Sequence, residues 1–148
     1  MASKIKLTDH QKDSLDIVFD LLGGVGVESF IVTFDGGGDD GQVEDPDEFK
    51  PAKSAKKAES LLGDVVEGAK TSEGTRYGPN GPEPMWKHDP TLDKLIVDIC
   101  YGILEGVSQG WEINEGSHGT FYFDVKKRKM NLDFKERVIE DRDFEFEL

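Results

Sequence analysis

Apolar residues recur along this chain with two different periods. Leu15, Ile17, Val18, Phe19, Leu21 and Leu22 share one broad helical face. Thr8, three residues ahead of Gln11, makes a capping-box pattern that predicts the start of this helix, and Gly23-Gly24 predicts its end. The period then shortens. Val27 to Phe34 is rich in β-branched and aromatic residues and predicts a strand. An Asp/Gly segment follows as a long hairpin loop, with Gln42 to Phe49 as a weak return strand. Pro46, which has no N–H for a ladder, makes that return strand an edge or removes it from the sheet.

Residues 50–90 carry a different pattern. Leu61-Leu62 and Val65-Val66 predict one amphipathic helix, weakened by Gly63 and Gly68. From Thr71 to Pro90 the composition is that of a loop, with Tyr77-Gly78-Pro79-Asn80-Gly81-Pro82-Glu83-Pro84 as turn chemistry throughout. A flexible insertion at about 50–90 is expected, within a single domain spanning 1–148. Thr91 or Asp89 is then expected to start a helix, with Pro90 in its first turn and Gly110 closing it. Leu92, Leu95, Ile96, Ile99, Cys100, Ile103, Leu104 and Val107 supply its stripe.

The short period returns downstream. Trp111 to Asn114 predicts a short strand, and Glu115-Gly116-Ser117-His118-Gly119 a hairpin turn. Phe121, Phe123 and Val125 then alternate with Tyr122 and Asp124, and Lys126-Lys127-Arg128-Lys129 reads as an exposed turn. Met130, Leu132 and Phe134 resume the alternation, and Phe144, Phe146 and Leu148 end the chain with it. The sum is an α+β fold: an antiparallel sheet of about five strands with two main helices packed on one face.

Charge changes the picture more than size does. The chain has 148 residues, with 18 basic and 31 acidic ones, for a formal charge of −13. Such a balance argues against direct contact with nucleic-acid phosphates or an anionic membrane, and favours basic proteins or cations as partners. Cys100 is the single cysteine, which excludes an intrachain disulfide and a cysteine-based zinc site, and its apolar neighbours suit a buried thiol. No segment approaches the ~20 apolar residues of a membrane span, and Met1-Ala2-Ser3-Lys4 opens no signal peptide. A cytoplasmic protein is expected.

Two acidic concentrations offer candidate chemistry. Between Asp35 and Glu48 seven acids occur with no basic residue, around Gly36-Gly37-Gly38. Asp35, Asp39 and Asp40, backed by Glu44 and Asp45, are the candidate ligands for a hard cation such as calcium or manganese. The spacing is not that of an EF-hand: counted from Asp35, the third position is Gly37 and the twelfth is Pro46. The alternative is a hairpin loop whose carboxylates stay hydrated. The glycines do not suit phosphate, because no Lys or Ser/Thr accompanies them and the acids repel it. In the second concentration, Asp143, Glu145 and Glu147 would space their charges about 6.5–7 Å apart along one strand face, close to the phosphate repeat of a nucleic acid. Equally, charges on an exposed strand discourage aggregation. His10, His88 and His118 are the histidines, and no local motif joins any of them to a nucleophile, so no catalytic residue is assigned and no enzyme is expected.

The segment Val32-Thr33-Phe34-Asp35-Gly36-Gly37-Gly38-Asp39-Asp40-Gly41-Gln42, together with Trp111-Glu112-Ile113-Asn114-Glu115-Gly116-Ser117-His118-Gly119-Thr120-Phe121, resembles a family of small acidic proteins of unknown function from bacterial genomes, plasmids and phages. The resemblance covers the first strand and its loop, the helix from about residue 91 and the hairpin after Trp111, and hardly touches residues 50–85. It implies a shared fold and a mobile-element origin, and no chemistry.

These readings converge on a non-catalytic interaction module without a cofactor, binding the basic surface of another protein. An accessory or inhibitor protein acting on a host nucleic-acid-handling or defence complex, as a nucleic-acid mimic, fits the charge. Asp39, Asp40, Glu44, Asp45, Asp143, Glu145 and Glu147 are the expected contact residues. The alternative is a divalent-cation-binding protein or metal-dependent enzyme centred on the Asp/Gly loop.

Overall fold

In a computed structural model that describes residues 7–37, 40–107 and 117–136, helix α1 (Asp9–Gly24) starts at the expected capping box. The Gln11 amide donates to Thr8 Oγ1 at 3.1 Å, and the Thr8 amide donates to Gln11 Oε1 at 2.9 Å. The helix stops at the Gly23-Gly24 pair, as expected, with Gly24 its last residue. Two residues on, Gly26 at φ 89° turns the chain left-handed. The Val27 amide then donates to the Leu22 carbonyl and the Gly26 amide to the Gly23 carbonyl, which satisfies carbonyls that the helix end leaves open.

Strand β1 (Ser29–Gly37) lies inside a five-stranded antiparallel sheet. On one side it pairs with β6 (Ser117–Asp124), which pairs in turn with β7 (Lys129–Glu136). On the other side it pairs with two short strands in succession, β2 (Asp40–Val43) and β3 (Asp47–Lys50). The expected return strand is thus present at the edge and broken in two. Phe34 faces Val43 and Ile31 faces Asp47, so three steps along β1 match four along the edge. The surplus residue is accommodated as a bulge at residues 44–46, where Pro46 costs the ladder nothing.

Ser117, His118 and Gly119, expected in a turn, are strand residues flanked by β1 and β7. Gly119 is there because a Cβ would overlap the Asp133 carbonyl of the neighbouring strand. The segment expected as a loop from Thr71 to Pro90 is largely a second, two-stranded sheet, β4 (Lys70–Gly78) with β5 (Gly81–His88). Its turn residues are concentrated at the Gly78–Gly81 tip. Both strands of a ribbon are edges, so a proline can turn its missing donor outward. Helix α2 (Ala55–Leu62) ends before Val65, which bridges Thr91 instead of extending the helix. Pro90 precedes helix α3 (Leu92–Val107) and is not in its first turn, Asp89 before it being left-handed at φ 55°. The strand expected at Trp111–Asn114, the closure at Gly110 and the alternation of Phe144, Phe146 and Leu148 lie outside the described residues.

One hydrophobic core joins these elements. Leu15, Val18, Phe19 and Leu22 of α1 meet Leu95, Ile96, Ile99 and Ile103 of α3 over the inner sheet face. On that face Phe30 stacks on Phe123 with ring centres 4.4 Å apart and planes within 6°. Phe34, Phe121 and Phe134 continue the aromatic row. Cys100 is fully buried in this core, and burial pushes its thiol well above the usual value. No described helix is long and apolar enough to cross a membrane.

Candidate functional site

The break between β2 and β3 makes a recess of about 380 Å³. Ile31 and Thr33 line it from β1, and Glu44, Asp45, Pro46, Asp47 and Glu48 from the broken edge. The backbone is tied on both sides of the break: the Glu44 amide donates to the Thr33 carbonyl at 2.8 Å, and the Glu48 amide donates to Asp47 Oδ1 at 2.8 Å. Glu48 takes a left-handed φ of 51°, a conformation that costs a residue with a Cβ. All four carboxylate residues are exposed, Pro46 is buried, and no basic residue among the described ones lines the recess. The arrangement suits a ligand with an apolar stem and a cationic head, which a lysine or arginine side chain has.

Of the residues singled out in the sequence, Glu44 and Asp45 sit on this recess. Asp47 and Glu48, counted among the acids but not named as contacts, sit there too. Asp35 is exposed further along β1, with Gln42 and His118 as its cross-strand neighbours, and the Asp40 backbone pairs with Gly37. Asp39, Asp143, Glu145 and Glu147 lie outside the described residues. Among the described residues no three His, Cys, Asp or Glu side chains gather as ligands of a metal ion do. The trio Asp35, Asp39 and Asp40 includes Asp39 and falls outside that statement.

A second cluster has no precursor in the sequence motifs. His10 in the first turn of α1 brings Nε2 to 3.6 Å from Asp98 Oδ2 on α3. The Ser72 amide of β4 donates to Asp98 Oδ1 at 3.1 Å. Trp86 of β5 meets the His10 ring edge-on, with ring centres 4.7 Å apart, and carries Lys70 Nζ 4.3 Å from its centre on the other contact. Burial raises the Asp98 carboxyl above its ordinary value, against the lowering effects of the Ser72 hydrogen bond and the His10 charge. The available signal was Asp98 itself, an acid flanked by Val97 and Ile99 in a largely apolar helix.

The chain belongs to a family of unknown function (DUF6878), whose model matches residues 10–148 and so takes in the stretch 50–85 that the two motifs pass over. No curated protein and no solved structure matches the chain.

Proposed function

We propose that this member of a family of unknown function is a non-catalytic binding protein whose broken sheet edge receives a basic side chain from a protein partner. The observation that carries the reading is the recess at Ile31, Thr33 and Pro46, rimmed by Glu44, Asp45, Asp47 and Glu48 with no base among them. Unrelieved carboxylates repel one another, and a guanidinium or ammonium inserted between them removes that repulsion while its stem covers Ile31 and Pro46. The formal charge of −13 steers a basic partner toward the protein before contact. Asp39, Asp40, Asp143, Glu145 and Glu147 are proposed to extend the acidic surface. The resemblance to proteins of plasmids and phages supports a mobile-element accessory or inhibitor, occupying as a nucleic-acid mimic the basic groove of a host nucleic-acid-handling or defence protein.

The test is titration of a fluorescent lysine/arginine-rich peptide at low and high salt, against the protein and against the triple variant Glu44→Gln/Asp45→Asn/Asp47→Asn. Binding is expected at low salt, with loss both on raising salt and in the variant, whose melting temperature stays near the parent's. Absence of binding at low salt, or equal binding by the variant, overturns the reading. A rise in melting temperature with calcium or manganese, at equal ionic strength, would instead favour a cation site on the Asp/Gly loop.

A further inference from the structure

We infer that His10 and Asp98 form a proton-operated latch that fastens the β4–β5 hairpin to the helix pair. The geometry is that of a joint. The hairpin is a separate two-stranded sheet with exposed large apolar side chains, Tyr77 beside the tip at 84% and Met85 next to Trp86 at 39% of full exposure. Among the contacts at its base that reach the helices are Ser72 N–H on Asp98 Oδ1 and Trp86 against His10. Both end on one histidine–carboxylate pair. That pair is incomplete: His10 Nε2 is buried without a hydrogen-bond partner, and Asp98 Oδ2 stands 3.6 Å away, beyond hydrogen-bond reach.

One proton from solvent completes it. Resting on Asp98 Oδ2 it can be donated to His10 Nε2, and resting on His10 Nε2 it makes an ion pair with the carboxylate. Either placement draws α1 and α3 together under Trp86. Among the described residues, the charged and titratable groups near the pair are few. His10 comes from α1, Asp98 from α3, and Lys70 from β4 by way of the Trp86 ring, while Trp86 from β5 is uncharged. Asp13 and Lys94, a turn away on α1 and α3, include one exposed acid and one exposed base.

The direction follows from burial. The closed latch takes Asp98 out of water and raises its carboxyl, so the closed form holds the proton more tightly than an open form would. Closure is therefore favoured at low pH, and that preference is lost as pH rises through the raised value. The latch sets how the exposed Tyr77 end of the hairpin is presented, independently of the acidic recess.

The test is Trp86 emission in a Trp111→Phe protein, followed from about pH 4 to about pH 8, with Ser72 amide protection measured by hydrogen exchange over the same range. The expected result is a single one-proton step, in which Ser72 protection rises several-fold on acidification after correction for intrinsic exchange. Asp98→Asn abolishes the step. Should circular dichroism show that variant unfolded, Asp98→Ser, which keeps a polar side chain but has no carboxyl to titrate, decides the matter by the same loss. A flat Trp86 signal, Ser72 protection that falls on acidification, or a step that persists in folded Asp98→Asn or Asp98→Ser protein overturns the proposal.

Discussion

Glu48 holds a left-handed backbone at φ 51° on the lip of the acidic recess, where glycine would pay no steric penalty. Glu48→Gly is expected to stabilise the fold by about 0.5–1 kcal/mol through relief of that conformation, against some loss to unfolded-chain entropy. It also removes one of four rim carboxylates, so a basic peptide should bind the variant more weakly. Urea unfolding and peptide titration on the same sample check both signs together. Gly119 is the opposite case. A Cβ there would overlap the Asp133 carbonyl and lie 3.0 Å from Phe34 Cε1, so β6 and β7 must part to admit it. Gly119→Ala is expected to cost about 1–3 kcal/mol in the same urea assay. Cys100, its thiol pushed up by complete burial, should stay silent to thiol reagents in native protein and react at once in denaturant.

Among the elements, the edge strand is held where it is by a contact from far along the chain. The Val43 amide donates to Tyr101 Oη at 3.2 Å, which joins β2 to α3 beside the broken edge. Tyr101→Phe should cost about 1 kcal/mol and loosen β2 more than β6, a difference that hydrogen exchange at Val43 and Phe121 measures. This contact shows what could be read in the sequence and what could not. The Thr8–Gln11 cap, the α3 stripe and the alternation of Phe121 and Phe123 are local signals, each set by neighbours within a few residues, and all three are realised. The place of Gly119 inside a strand depends on the Asp133 carbonyl, and the hairpin at 70–88 on each of its strands being the other's partner. Neither is visible from local composition, which reads glycine and proline as turns. Of the site, the acidity of Glu44 and Asp45 was legible, whereas the recess arises from the register slip against β1. The meeting of His10 with Asp98 requires α1 and α3 to be packed side by side and had no local trace.

At the scale of the whole molecule, one quantity acts on stability and on binding with opposite signs. A formal charge of −13 on 148 residues repels itself more strongly in the compact state than in the expanded chain. The described ion pairs do little to offset this: Arg128 reaches Asp16 at 3.1 Å and Asp20 at 2.8 Å, and Arg76 reaches Glu83 at 3.3 Å, all at exposed positions where solvent weakens them. Salt screens the repulsion once the Debye length falls below the spacing of surface charges, from ~30 Å at 0.01 M to ~3 Å at 1 M. Melting temperature is therefore expected to rise, on the order of a few degrees, as sodium chloride goes from about 0.01 M to about 0.5 M. Over the same range a basic peptide should bind progressively less, because the attraction between its charges and the recess is screened equally. Thermal melts and peptide titrations run side by side separate this account from a general effect of salt. If salt strengthened binding together with stability, apolar contact at Ile31 and Pro46 would govern the recess, and its carboxylates would serve solubility alone.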